Sequence, residues 1–180
     1  MRINLPNQLT IFRILLIPIF ILVLVFKIPN AMTIAAIIFA VASFTDFLDG
    51  QIARRNKLVT NFGKFADPLA DKLLVMTALI FLTELEIVPA WITSIIVIRE
   101  LAVTGLRTLI VENNGKVLAA ELPGKIKTFT QMFAIIFLYM DDFGLNLPIG
   151  QVLIYIAVIF TIYSGIDYFW QNKKVFSDGL

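Results

Sequence analysis

Four aspartates near the ends of two long apolar segments define the chemistry open to this chain. They stand in Asp46-Phe-Leu-Asp49-Gly50-Gln-Ile-Ala53-Arg54 and, eight residues later, in Gly63-Lys-Phe-Ala-Asp67-Pro-Leu-Ala-Asp71. Asp46 and Asp49 are three apart, Asp67 and Asp71 four apart, so on helices each pair shares a face. Gly50 and Ala53 are the small residues on the Asp46 face, and Gly63 lies one turn before Asp67. A carboxylate at membrane depth is costly and marks a functional site. Two helices joined by a short loop are antiparallel neighbours, which brings the four acids together. Such a concentration of negative charge repels itself unless cations occupy it. The chain has no histidine and no cysteine. All-oxygen ligation remains, and it favours magnesium, manganese or calcium. The plainer reading is helix caps and solvated ends. It suits Asp67, which precedes Pro68 as an N-cap precedes a proline at the first helical position. It does not account for four carboxylates with small residues interleaved at helical spacing.

The elements that hold these residues are membrane helices. The chain of 180 residues is 59% hydrophobic, with a mean hydropathy of +0.88, against about 45–50% apolar in a soluble domain. The first apolar run, 9–26, is long enough to span a bilayer and has no small-residue cleavage site. Absence of cysteine excludes disulfides, thiol catalysis and iron–sulfur clusters. A net charge of +2 is too small to imply nucleic acid. The expected fold is all-α: six transmembrane helices near 8–26, 31–54, 63–85, 89–113, 124–140 and 148–171, after a short N-terminal interfacial segment at 1–7. Pro18 is a kink candidate in the first helix. No linker interrupts the pattern, so one transmembrane domain over 1–180 is expected. Arg2, Arg54, Arg55, Lys57, Lys64, Lys116, Lys125, Lys127, Lys173 and Lys174 fall on the side of the two termini, and Lys27 alone falls opposite. The positive-inside rule then puts both termini in the cytoplasm, in a multi-pass protein of the cell membrane. The aspartates sit recessed near that face.

Cations also occur inside the spans. Arg99 lies about eleven residues into the fourth helix, roughly 16 Å deep at 1.5 Å per residue. Snorkelling and anchoring suit Lys127, Lys173 and Lys174, but Arg99 is too deep for that. A buried guanidinium requires a carboxylate or a phosphate. Glu100 is adjacent and is expected to point away. Arg99 and Arg107 can face one cavity, and with Lys125 at the start of the fifth helix they make a phosphate pocket. Thr10 and Arg13 open the first helix on the same side.

The aspartate pattern matches the signature of the CDP-alcohol phosphotransferases at all eight of its fixed positions over 26 residues, and the chain resembles that family. Further stretches resemble the bacterial phosphatidylglycerophosphate synthases within it: Leu5-Pro6-Asn7-Gln8-Leu9-Thr10-Ile11-Phe12-Arg13, Ile98-Arg99-Glu100, Gly105-Leu106-Arg107, and Gly124-Lys125-Ile-Lys127-Thr128 with Gln131-Met132. The likeness runs to about residue 132; beyond it the chain is apolar and uninformative.

The resemblance implies transfer of a phosphatidyl group from CDP-diacylglycerol to glycerol 3-phosphate, with CMP released. It implies two divalent ions, Mg2+ or Mn2+, on Asp46, Asp49, Asp67 and Asp71, with Asp71 also the general base. Gly50, Ala53 and Gly63 would let the CDP-lipid approach the backbone, with Arg54 and Lys64 on its phosphates. Thr10, Arg13, Arg99, Arg107 and Lys125 would bind the acceptor phosphate. Membrane lipids and a second copy in a homodimer are the other expected partners. Inositol phosphate, phosphatidylglycerol and serine are alternative acceptors, and the cations disfavour serine. A cation transporter is a different class, since intramembrane acids also make ion paths, but no inverted repeat supports it. A structural membrane subunit predicts no nucleotide binding at all.

Overall fold

Long apolar stretches have one economical solution in lipid, the helix, because it satisfies its backbone hydrogen bonds internally. The computed structural model of the chain describes residues 5–56, 61–112 and 122–173. Among them are six long helices and no strand: α1 Leu5–Val25, α2 Ala31–Asn56, α3 Asn61–Glu84, α4 Ala90–Glu112, α5 Leu122–Tyr139 and α6 Ile149–Gln171. α1 and α6 are each long and apolar enough to cross a membrane, and α2 contains a shorter apolar run, Ala31–Asp46.

Two expectations change in detail. α1 begins at Leu5, so residues 5–7 already belong to the helix, and residues 1–4 lie outside the described residues. Pro18 lies inside α1, which is one continuous helix. α3 begins at Asn61, so Asp67 lies inside the helix and is not its N-cap. The two residues before Gly63 extend the helical turn and move the aspartate away from the helix end.

Each helix sorts its faces by period. In α1, Arg13, Ile17, Phe20 and Leu24 are buried, while Phe12, Leu15, Ile19 and Leu22 are exposed. These are two stripes at the helical spacing of three and four. The outward stripe is apolar, as a lipid-facing surface requires. α1 packs on α2 and α3; α5 packs on α2, α3 and α6; α4 packs on α3 and α6. Inward apolar residues from all six helices, among them Phe20, Phe39, Leu79, Ile92, Ile135 and Ile154, form one core. Tyr139 is buried there and donates to the Ala78 carbonyl at 2.9 Å.

The α1–α2, α3–α4 and α5–α6 turns close the bundle at the end away from the aspartates. The α5–α6 turn runs through a 3-10 turn, Asp141–Gly144, whose four residues all have positive φ. Asp142 Oδ1 accepts the Gly150 N–H at 2.6 Å and ties this turn to the start of α6. A Cβ at Gly150 would meet Leu138 at 2.8 Å, so glycine is what lets α6 approach α5 there.

Candidate functional site

At the opposite end the core gives way to charge. Arg13 is fully buried on α1, and its guanidinium lies 2.7 Å from Asp46 Oδ1 on α2. Thr10, one turn earlier, is fully buried too. Asp71 on α3 stands within electrostatic reach of Asp46 and Arg13, and also of Glu100 and Lys127. It therefore joins the aspartate end of α2 and α3 to the cations of α4 and α5.

A cavity of about 230 Å3 opens beside Asp71, walled by α3, α4, α5 and α6. Its α4 wall carries Arg99, Glu100, Val103, Thr104 and Arg107, at the three- and four-residue spacing of one helix face. Glu100 accepts from Arg99 Nη1 at 3.3 Å and pairs with Lys127 of α5. Arg99 Nη2 donates to Ser164 Oγ of α6 at 3.0 Å. Lys72 of α3 bonds Thr104. Arg107 lies over the Tyr168 ring, 5.9 Å from its centroid, within cation–π range. The cavity thus gathers four cations, Lys72, Arg99, Arg107 and Lys127, beside two acids, Asp71 and Glu100. Asp167 adds a third acid from α6. An anionic ligand suits that balance.

Of the residues expected at an acceptor pocket, Arg99 and Arg107 share the cavity wall. Thr10 and Arg13 do not line it; Arg13 stands with Asp46 instead. Lys125 is exposed and is not on the wall either. Its place is taken by Lys127, buried at 5% exposure rather than snorkelling to water. The reason is the α5 face: Lys127, Gln131, Ala134, Ile135 and Leu138 form the buried stripe, and Lys125 falls off it. Glu100, expected to point away from Arg99, instead receives it.

Asp49, Gly50, Ala53 and Arg54 lie in the last turns of α2, and Gly63, Lys64 and Asp67 in the first turns of α3. Their side chains fall outside the described residues. Among the described residues no group of three or more carboxylates forms a metal site. Asp46 and Asp71 are the two expected ligands whose side chains are described, and they face each other's charge.

Sequence reasoning missed the part played by α6. Ser164, Asp167, Tyr168 and Gln171 all line the cavity. The signal available was their spacing: 164, 167, 168 and 171 trace one face of a helix otherwise made of apolar residues.

The profile of the CDP-alcohol phosphatidyltransferase family matches residues 3–163. The chain is 45% identical to a CDP-diacylglycerol–glycerol-3-phosphate 3-phosphatidyltransferase of Bacillus subtilis (strain 168), covering 94% of this chain and 95% of the relative. A protein of the same name from Rickettsia bellii (strain RML369-C) is 42% identical over 96% of this chain and 97% of its own length. A probable phosphatidylglycerophosphate synthase of Mycobacterium tuberculosis (strain CDC 1551 / Oshkosh) is 39% identical over 92% and 79%. The likeness extends into the apolar helices as well as the aspartate signature, and by it the chain belongs to the CDP-alcohol phosphatidyltransferase family.

Proposed function

We propose that this chain transfers the phosphatidyl group of CDP-diacylglycerol to the primary hydroxyl of glycerol 3-phosphate, giving phosphatidylglycerophosphate and CMP. The observation that carries the reading is Asp71. It lines the cation-rich cavity and stands within electrostatic reach of Asp46, so one carboxylate adjoins both an acceptor pocket and the aspartate group. The names of the relatives support the same donor and acceptor.

In this reading the acceptor phosphate lies against Arg99, Arg107 and Lys127, which presents its primary hydroxyl to Asp71. The hydroxyl oxygen forms a new bond to the phosphatidyl phosphorus, the bond from that phosphorus to the CMP oxygen breaks, and the hydroxyl proton passes to Asp71. The donor set fits a hard divalent cation: carboxylates come from two helices, and neither histidine nor cysteine exists in the chain. Asp46, Asp49, Asp67 and Asp71 would hold two such ions, Mg2+ or Mn2+, which when bound neutralise charge on the diphosphate and the exchanging oxygens. Gly50, Ala53 and Gly63 border the CDP-lipid, and Arg54 and Lys64 contact its phosphates.

The six helices are read as six spans with both termini in the cytoplasm. The exposed apolar faces support that reading, as does the clustering of Lys and Arg at the aspartate end. The test is CMP release by purified protein given CDP-diacylglycerol, magnesium and, in turn, glycerol 3-phosphate, inositol phosphate, serine and phosphatidylglycerol. Glycerol 3-phosphate is expected to be fastest. Faster release with serine or phosphatidylglycerol overturns the acceptor assignment, and no release with any of them overturns the reaction.

A further inference from the structure

Buried polar groups in proteins nearly always find hydrogen-bond partners. Among the described residues, three side chains on the cavity wall have atoms that do not: Arg99 at Nε, Gln131 at both amide atoms, and Tyr168 at its phenol oxygen. Gln131 is 2% exposed and Tyr168 8%, so both are held among protein atoms rather than in bulk solvent. Arg99 belongs to the anion-binding cations. Gln131 and Tyr168 carry no charge, and the reaction described above gives them nothing to do.

Their positions are specific. Gln131 follows Lys127 by one turn on the inward stripe of α5. Tyr168 lies on α6, the neighbouring helix, with Arg107 over its ring. The two unpartnered groups therefore flank the cations that would take a phosphate.

Their chemistry narrows the ligand further. An amide offers one acceptor oxygen and two donor hydrogens, and a phenol offers one hydrogen and an acceptor oxygen. A phosphate dianion only accepts, and it would leave Gln131 Oε1 unmet. A carbonyl fails in the same way. A hydroxyl both donates and accepts, and so satisfies an amide oxygen together with a second polar group.

We propose that Gln131 and Tyr168 bind the non-reacting hydroxyl of a phosphorylated polyol acceptor and select for acceptors that carry it. The proposal rests on the reading of this cavity as the acceptor site. It makes Gln131 and Tyr168 specificity-determining residues, distinct from the cations that hold the phosphate and from the aspartate that takes the proton. A site built to hydrogen-bond a hydroxyl rejects an analogue lacking it, because its own buried groups are then left unpaired.

The experiment compares two acceptors in the full-length protein with CDP-diacylglycerol and magnesium, scored by CMP release. Glycerol 3-phosphate carries the secondary hydroxyl. 3-Hydroxypropyl phosphate keeps the primary hydroxyl and the phosphate and lacks the secondary one. The unmodified protein is expected to favour glycerol 3-phosphate by about a hundredfold in kcat/KM, the penalty for leaving a buried polar group unpaired. Gln131→Met and Tyr168→Phe, on separate helices, should each lower that ratio at least tenfold by reducing turnover of glycerol 3-phosphate alone. A merely structural role lowers both acceptors together and keeps the ratio. An unchanged ratio in both variants, or no preference in the unmodified protein, overturns the proposal. If the unmodified protein releases no CMP with either acceptor, the acceptor reading beneath the proposal falls, and the proposal with it.

Discussion

Glu100 holds two cations at once: Lys127 reaches it from α5, and Arg99, its neighbour in sequence, donates from Nη1 at 3.3 Å. Arg99 then continues to Ser164 of α6 at 3.0 Å. One carboxylate thus ties together three helices around the cavity and offsets the repulsion among its cations.

The first prediction concerns that tie. Removing one partner of a buried ion pair leaves an uncompensated charge and costs roughly 3–5 kcal/mol, whereas replacing both by apolar groups is often neutral. Glu100→Gln and Lys127→Met should each lower Tm in detergent sharply. The double variant should be more stable than either single one. A double variant less stable than both would mean that the pair acts independently of its two charges.

A second prediction separates the cavity cations by their exposure. Arg99→Ala, Arg107→Ala and Lys127→Met should raise the apparent KM for glycerol 3-phosphate, with a smaller effect on CDP-diacylglycerol. Each lost charged hydrogen bond costs roughly 1.5–3 kcal/mol, or about tenfold to a hundredfold in kcat/KM. Arg107→Lys should recover part of the loss, since lysine lacks the bidentate fork. Lys125→Met should leave kinetics near normal, because Lys125 is exposed and off the wall. Free glycerol, a poor acceptor, should be indifferent to all of these changes. Equal losses with glycerol and glycerol 3-phosphate would assign the cations to the fold or to the lipid donor.

The third prediction addresses the carboxylates. Asp46→Asn, Asp49→Asn, Asp67→Asn and Asp71→Asn should each nearly abolish CMP release while the protein stays folded in detergent. Chelation by EDTA should do the same, and added Mg2+ should restore activity. Near-normal turnover in EDTA would remove the metal ions from the mechanism. Asp46→Asn should also lower Tm, because the wholly buried Arg13 loses one charged partner, 2.7 Å away.

Topology supplies the fourth. Cysteine at Asn56, the end of α2, should be labelled from the cytoplasm, and cysteine at Leu145 from the opposite side. Leu145 is exposed in the α5–α6 turn, whereas its neighbour Asp142 holds Gly150 and is a poor choice for replacement. The chain lacks cysteine, so the label has no background. Labelling of both positions from one side would refute an odd number of crossings between them.

Helix positions were legible because apolar runs in this chain end at Asn, Pro and charge. α4 was expected at 89–113 and spans Ala90–Glu112; α6 was expected at 148–171 and spans Ile149–Gln171. The aspartate spacing was legible as well, since i,i+3 and i,i+4 fix a shared face without knowledge of neighbours. The local role of Asp67 was not, because Pro68 reads as a helix opening although α3, expected from 63, runs through it from Asn61. Which lysine of α5 turns inward was hidden for a different reason. Phe129 and Phe133 suggest an apolar inward face, but in this bundle they are exposed, and the more polar stripe with Lys127 and Gln131 is buried. Gln131 stood in a stretch that carries the family likeness and Tyr168 on a polar face of the last helix, but that the two border one cavity emerged only when α5 and α6 were placed beside α4.

Gly165 faces Arg99 across the α4–α6 contact, where a Cβ would stand 3.1 Å from Arg99 Cγ. The same arginine borders the charged cavity and an open apolar groove of about 640 Å3 on the outside of α4 and α6. A single side chain is therefore the partition between a polar interior and an oily exterior, and a residue without a side chain sets where that partition stands. A side chain at position 165 would press on the Arg99 stem from outside the polar chamber, and the arginine would have to give by a few tenths of an ångström. The outer surface of the bundle is thereby mechanically linked to the position of a cation in the cavity.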